Sequence, residues 1–147
     1  MGTGSTSAAS GEGPGVAARM GLKHGMLIME IGYDEDVDQD LRDNLEEQTG
    51  EEILGEESDE VVDVVLIWHR DGDEDLTDLL VDAISPLADD GTIWLLTPKR
   101  GRAGYVEPSD ISEAASVAGL SETSIITISH DWSGNRLVGR RSGGRTK

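Results

Sequence analysis

The chain has 147 residues, no cysteine and a formal net charge of −18 at pH 7. The length predicts one domain with a substantial core, and the lack of cysteine excludes disulfides and cysteine-ligated zinc. No apolar run reaches the ~18 residues of a membrane span, and no secretory signal is evident, so we expect a soluble, cytoplasmic protein. Residues 30–90 hold 24 acidic and two basic residues, which argues against direct nucleic-acid binding by this acidic body.

The apolar pattern divides the chain into two terminal segments and one domain. Residues 1–18, rich in glycine, serine, threonine and alanine, predict a disordered N-terminal arm, and residues 140–147 predict a flexible basic tail. Within the single domain, residues 19–139, an apolar run at 26–31 predicts a buried strand. A helix ending near Gly50 follows, and its inner face is predicted to hold Val37, Leu41 and Leu45.

The rest of the domain continues this alternation of strands and helices. The predicted elements are a very short strand at 53–54, a strand at 61–68, a helix from Leu76 closed by residues 89–91, a strand at 92–97, a helix at 108–118, and two strands at 123–129 and 135–138 around a turn at 131–134. Trp94 is expected in the core, whereas Trp132 is expected to be exposed in the turn. The order predicts an α/β fold, a small Rossmann-like three-layer sandwich with a mostly parallel sheet and a C-terminal antiparallel hairpin.

Candidate site residues cluster where the first and third predicted strands end. Ligands bind at the carboxyl edge of such sheets, so Gly32, Asp34, Asp36 and His69 are the candidate cofactor-binding residues. His69 could act as a general base, but no nucleophile motif accompanies it, and a histidine bonded to backbone or solvent is the favoured interpretation. The aspartates around the helix start could also hold a hard cation, but capping explains them, so we predict no metal site.

The order of segments resembles a class I methyltransferase core. The matching pieces are Glu30-Ile31-Gly32, the strand at 61–68, the segment LADDGTIWLLT, and the terminal AGLSETSIITISHDWSGNRLVGRR. Residues 20–141 as a whole are similar to the actinobacterial domain-of-unknown-function family 3052, a group of small uncharacterised proteins that supplies no established activity.

The methyltransferase resemblance implies S-adenosylmethionine as cofactor, but the first loop departs from the motif E-x-G-x-G-x-G. Glu30 and Gly32 fit, whereas Asp34 and Asp36 stand at the next two glycine positions. Their carboxylates would repel the methionine carboxylate and add bulk where the backbone must approach the cofactor. In class I methyltransferases the ribose-binding acid ends a second strand, which a further helix and strand follow. The segment 46–60 is too short for this complete second β-α-β unit. We therefore predict that no cofactor is bound.

Basic side chains near the sheet edge and in the tail are candidates for partner binding, namely Lys99, Arg100, Arg102, Arg140 and Arg141. Pairing of these bases with the protein's own acids is the favoured alternative. The leading hypothesis is a non-catalytic binding or regulatory module with a protein partner. The alternatives are a divergent S-adenosylmethionine-dependent methyltransferase and an acidic decoy that mimics nucleic acid toward a basic protein.

Overall fold

A computed structural model describes residues 15–139. Its elements, in chain order, are α1 (Val16–Arg19), β1 (Ile28–Ile31), α2 (Gln39–Thr49), β2 (Val62–Trp68), α3 (Leu76–Ile84), β3 (Leu87–Pro98), α4 (Pro108–Ala118), β4 (Leu120–Thr127) and β5 (Trp132–Gly139). Helix α1 begins before residue 19, the predicted start of the domain, and its Ala17 is fully buried. The predicted basic tail, residues 140–147, and residues 1–14 of the predicted arm lie outside the described residues.

The strands form one sheet in the order β1-β2-β3-β5-β4. β2 pairs in parallel with β1 and β3, whereas β5 pairs antiparallel with β3 and β4. The α/β class and the C-terminal hairpin are confirmed, but the sheet is evenly mixed rather than mostly parallel. The short turn at residues 128–131 gives β4 and β5 no crossover, so they can pair only antiparallel. Leu54, in the predicted very short strand, makes a single parallel bridge to Met29 on the outer side of β1.

Strand β2 lies at the centre of two hydrophobic cores. Val65 and Ile67 pack on the face covered by α3 and α4, and Leu66 and Trp68 pack on the face covered by α1 and α2. All four are at most 1% exposed, as the continuous apolar run predicts for a strand covered on both faces. The result is a helix–sheet–helix arrangement in which the carboxyl ends of β1 and β2 lie side by side.

Aspartates and glycines fix the helix ends. The Asp38 carboxylate accepts a hydrogen bond from Leu41 N at 3.0 Å at the start of α2, and Asp75 accepts one from Asp78 N at 3.0 Å at the start of α3. Gly50 ends α2 with φ of 76°, a left-handed conformation that favours glycine. These two aspartates therefore cap helices, as the sequence predicts.

Two predicted boundaries are wrong. The predicted helix from Leu76 runs to residues 89–91, but α3 ends at Ile84, and Leu87 pairs with Val62 in the sheet. Pro86 has no backbone N–H with which to continue the helical hydrogen bonds, and its carbonyl accepts a hydrogen bond from Val62 N at 2.9 Å. Trp132 begins β5 and is 3% exposed instead of lying exposed in a turn. Its large ring fills the core beside Trp68.

Candidate functional site

A cleft of about 380 Å³ lies at the carboxyl ends of β1 and β2. Three of the four candidate residues line it, namely Gly32, Asp34 and His69. Asp36 lies outside the lining but contacts a residue in it. Asp73, which the sequence offered with Asp34 and Asp71 as an acid that could orient His69, also lines it. The other lining residues are not among the candidate cofactor-binding residues, and they are Ile31, Tyr33, Glu56, Trp68, Arg70, Glu74, Leu79 and Asp82.

Arg70 ties the loop after β1 to the end of β2. Its guanidinium binds the Asp36 carboxylate through two hydrogen bonds, Nη2 to Oδ1 at 2.6 Å and Nε to Oδ2 at 2.9 Å. Nη1 also donates to the carbonyl oxygens of Gly32 and Trp68, at 3.0 and 3.1 Å. The Arg70 guanidinium keeps the pKa of the Asp36 carboxyl below its ordinary value. The loop is thereby held closed across the sheet edge.

The packing of Arg70 explains the position of Asp36. The guanidinium lies 5.4 Å from the centre of the Trp132 ring, and the Trp132 indole N–H donates to the Asp36 carbonyl at 3.2 Å. Trp132 in turn meets Trp68 edge to face, with 4.9 Å between ring centres. A cation over an indole face is attracted by the ring quadrupole. Asp36 is thus a structural partner of Arg70.

Glu30, which matches the first residue of the methyltransferase loop motif, is buried with a full set of partners. Its carboxylate binds Arg42 of α2 through Nε at 2.7 Å and Nη2 at 3.0 Å. It also accepts a hydrogen bond from the Trp68 indole at 2.9 Å. Only 7% of Glu30 is exposed, so its charge is neutralised inside the fold and connects α2 to the sheet.

Gly32 is required by a close approach of two strand ends. Its φ is +85°, and a Cβ atom built on it would collide with the Trp68 carbonyl oxygen. Its N–H donates to the Glu56 carboxylate at 3.1 Å. The backbone group that a glycine-rich loop would offer to a ligand is therefore bound by a side chain of this protein.

His69 is the unusual polar group of the cleft. It is 5% exposed, its backbone N–H donates to the Leu96 carbonyl, and its side-chain Nδ1 is buried with no hydrogen-bond partner within residues 15–139. Burial lowers the pKa of His69, against the opposing effect of Asp73, Glu74 and Asp71, while Arg70 adds to the lowering. The imidazole is consequently held in its neutral form near pH 7.

This lowered pKa predicts a pH dependence of stability. The unfolded chain, with a histidine pKa of about 6.5, binds more protons than the folded chain below that pH. The contribution of neutral His69 is present above about pH 6.5 and is lost as the pH falls through the lower folded-state pKa. Urea unfolding at about pH 7.5 and pH 5 measures this dependence. We expect wild type to lose more stability than His69→Gln between the higher and the lower pH. His130→Gln, which retains His69, is the control, and a difference independent of pH would contradict the assignment.

The three predicted partner-binding bases that the structure describes do not line the cleft. Arg102 pairs with Asp131 at 3.1 Å, and the Arg100 guanidinium lies 5.3 Å from the centre of the Tyr105 ring. The Lys99 backbone N–H bonds the Asp131 carbonyl at 2.9 Å. None of the three lines the cleft, where the cation is Arg70. Arg140 and Arg141 lie outside the described residues.

Arg70 and Glu56 are the site residues that sequence reasoning missed. Arg70 directly follows His69 at a strand end, so its position was a usable signal. Glu56 follows Leu54, whose bridge to Met29 brings it to the same edge, but one bridge leaves no periodic pattern to detect. Across residues 15–139, no three histidine, aspartate or glutamate side chains are placed to hold a metal ion, and no helix is long and apolar enough to span a membrane.

Comparison with known sequences gives relatives without an assigned activity. The family model described as "Protein of unknown function (DUF3052)" matches residues 17–141. An uncharacterised protein of Mycobacterium tuberculosis and one of Mycobacterium bovis are each 50% identical to this chain over 139 residues, covering 95% of this chain and 87% of theirs. These matches confirm the resemblance to that family stated from the sequence.

Comparison with solved structures gives methyltransferase folds. A TehB-like SAM-dependent methyltransferase from Corynebacterium glutamicum is similar with a TM-score of 0.54 at 14% identity, over 88% of this chain and 90% of that one. A candidate type 11 methyltransferase from Sulfolobus solfataricus is similar with a TM-score of 0.60 at 14% identity, over 86% of this chain and 89% of that one. At this identity the likeness shows the fold, a Rossmann-like α/β sandwich, and no activity.

Proposed function

The chain belongs to this family of proteins of unknown function, and we propose from its cleft that it is a non-catalytic binding protein with a degenerate methyltransferase-like fold. It presents the acidic strand-end cleft and the surrounding acidic surface to a partner. The observation that supports this most directly is the Arg70–Asp36 pair, which closes the loop that would otherwise receive a cofactor.

Three contacts occupy the groups that a nucleotide-type cofactor would need. Gly32 N–H is bound by Glu56, the Gly32 carbonyl is bound by Arg70, and Asp34 accepts a hydrogen bond from Glu35 N at 2.8 Å. A ligand carboxylate or phosphate would have to displace these contacts. It would also meet several carboxylates, which oppose an anionic group.

The lining also lacks hydroxyl, thiol and amine nucleophiles of the aliphatic kind. It contains no serine, threonine, cysteine or lysine, and His69 has no nucleophile to activate. A general base acts only when it lies within hydrogen-bond reach of the proton that it removes, and the buried Nδ1 of His69 is not accessible to a substrate. These features support a role in binding rather than in catalysis.

One observation favours the methyltransferase alternative. Glu56 lines the cleft and follows the short parallel bridge beside β1. In class I methyltransferases the ribose-binding acid stands at this position. In this structure the Glu56 carboxylate accepts a hydrogen bond from Gly32 N–H at 3.1 Å. Gly32 N–H occupies one oxygen of Glu56, and the other oxygen can accept a hydrogen bond from a hydroxyl, so this acid supports the alternative.

Calorimetric titration with S-adenosylmethionine and S-adenosylhomocysteine tests the proposal. We expect neither compound to bind more tightly than a dissociation constant of ~0.1 mM, because the contacts of the loop after β1 must break before either can enter. The matched variant Arg70→Met removes the contacts to the Asp36 carboxylate and the Gly32 carbonyl. It tests whether those contacts prevent the two compounds from binding. Micromolar binding of either compound to the wild-type protein would overturn the non-catalytic proposal and favour the enzyme.

A further inference from the structure

Strand β4 forms an open edge of the sheet. It stands last in the strand order, and within residues 15–139 it pairs with β5 alone. The Thr127 carbonyl is directed away from β5 and accepts a hydrogen bond from Arg19 Nη2 at 3.3 Å. Backbone groups of alternate strand residues point to the same side, so the N–H and carbonyl of Ile125 also face outward. The middle of β4 therefore offers backbone hydrogen bonds to a further strand.

The side chains of β4 do not protect this edge. Natural proteins guard an exposed edge with lysine, with proline or with a covering segment. The sequence of β4, LSETSIIT, has no lysine and no proline. Its one carboxylate, Glu122, is bound on the sheet by Ser112 Oγ at 2.6 Å and Asn135 Nδ2 at 2.9 Å. Ile125, an apolar β-branched residue in the middle of the strand, is 64% exposed, and such a residue favours pairing with another strand.

The opposite edge of the sheet differs in both respects. The outer side of β1 is occupied by Leu54, whose N–H donates to the Ile28 carbonyl at 2.8 Å and whose carbonyl accepts from Glu30 N at 2.9 Å. Residues 51–60, which include Leu54, hold six acids. Four strand spacings, about 19 Å, separate β1 from β4, which exceeds the Debye length of about 8 Å at physiological salt. Two copies can therefore meet at β4 while their acidic edges stay apart.

The charge near β4 also indicates which partner fits it. Residues 107–147, which include α4, β4 and β5, hold five acids and five bases, whereas residues 30–90 hold 24 acids and two bases. A basic protein would be attracted to the acidic part of the chain rather than to this neutral part. A second copy supplies an identical neutral edge, and two antiparallel copies of β4 satisfy each other's outward backbone groups.

We propose that the chain forms a dimer in which β4 pairs antiparallel with β4 of a second copy about a twofold axis, joining the two sheets into one. Ile125 of each copy lies opposite Thr127 of the other, in the half of β4 that follows the register shift before Ser124. The assembly closes at two copies, because the remaining edge of each sheet is β1, whose outer groups are bound by Leu54. The interface is independent of the strand-end cleft and of the function proposed for it.

Sedimentation equilibrium of the full chain tests the proposal. One strand pair is small beside the ~800 Å² per partner of a standard interface, so we expect reversible association toward twice the monomer mass of 15.7 kDa, with a dissociation constant of ~0.1 mM. Ile125→Lys, at an exposed position, is expected to weaken the dimer at least ~tenfold, because lysine guards strand edges. Val61→Lys makes the same change of charge at a valine that is 66% exposed and lies outside β4, and it is expected to leave the dimer unchanged.

Hydrogen exchange of the wild-type chain gives a second readout that needs no variant. With a dissociation constant of ~0.1 mM, about a fifth of the chains are monomeric at ~1 mM, against most of them at ~10 μM. We therefore expect the outward Ile125 amide to exchange about fourfold more slowly at the higher concentration. The Ile126 amide faces β5 within one copy and is the control, since its exchange is expected to stay the same.

Three outcomes would overturn the proposal. The first is a monomer at every concentration up to ~1 mM, with Ile125 exchange independent of concentration. The second is equal weakening by Ile125→Lys and Val61→Lys, which would mean that the added charge acts without a contact at β4. The third is a dimer that dissociates when sodium chloride is raised from about 0.15 to 0.5 M, which would assign the association to the basic tail of one copy on the acidic part of another.

Discussion

Replacing Arg42 by methionine is expected to lower the free energy of unfolding by about 3–5 kcal/mol, because it leaves the buried Glu30 carboxylate without its charged partner. The two side chains form a bidentate pair at 2.7 and 3.0 Å, with Glu30 7% exposed. Methionine retains most of the apolar stem of arginine, so the loss reports the charge rather than the packing. Urea unfolding followed by circular dichroism measures it.

The matched control is Arg102→Met, the same substitution at an exposed pair. Arg102 and Asp131 have 52% and 41% of their side chains exposed, and such pairs contribute about 0–1 kcal/mol. The double variant Glu30→Gln with Arg42→Met removes both charges, and we expect it to be more stable than Arg42→Met alone by ~1 kcal/mol or more. A double variant as unstable as the sum of the two single changes would contradict a coupled pair.

Replacing Gly32 by alanine is expected to cost about 3 kcal/mol of stability for two additive reasons. The left-handed φ of +85° is unfavourable for a residue with a Cβ atom, and that atom would collide with the Trp68 carbonyl oxygen. The collision involves backbone, which cannot rotate away as a side chain can. Thermal or urea unfolding gives the loss directly.

Gly101→Ala separates the two reasons. Gly101 has φ of +90°, and no atom beyond its own chain neighbours lies within 4 Å of the position that an alanine methyl group would take, so it reports the conformational cost alone, about 1–2 kcal/mol. Equal losses at the two glycines would show that β1 and β2 can move apart at their carboxyl ends. That result would also weaken the case for a loop held closed by Arg70.

The sequence predicted those features that depend on local pattern. The continuous apolar run of β2 identified a strand buried on both faces, and Asp38 was correctly interpreted as a helix cap, because both signals lie within a few neighbouring residues. The apolar residue Leu87 misled the prediction because it continues the helical spacing of α3. Pro86 and the pairing of Leu87 with Val62 outweigh that spacing.

The composition of the cleft was harder to predict because it depends on strand register. The parallel pairing of Ile31 with Ile67 brings the residues after each strand to one edge, where Asp36 meets Arg70 across 34 positions of sequence. A shift in register would give each of them another partner. The sequence alone named Gly32, Asp34 and His69 at the edge of the sheet where the cleft lies, but it could not show that Asp36 is paired with Arg70.

The edge-to-face pair Trp68 and Trp132 provides an intrinsic optical reporter for the cleft. The chain has three tryptophans, two tyrosines and no phenylalanine, so near-ultraviolet excitation selects a very small set of rings. The Trp68 carbonyl accepts a hydrogen bond from Arg70 at the edge of the cleft, and Trp132 lies beneath the Arg70 guanidinium. Emission intensity and wavelength respond to the charge and polarity beside an indole. Occupancy of the cleft and release of Arg70 can therefore be followed in the unlabelled protein, on the timescale of a stopped-flow mixer.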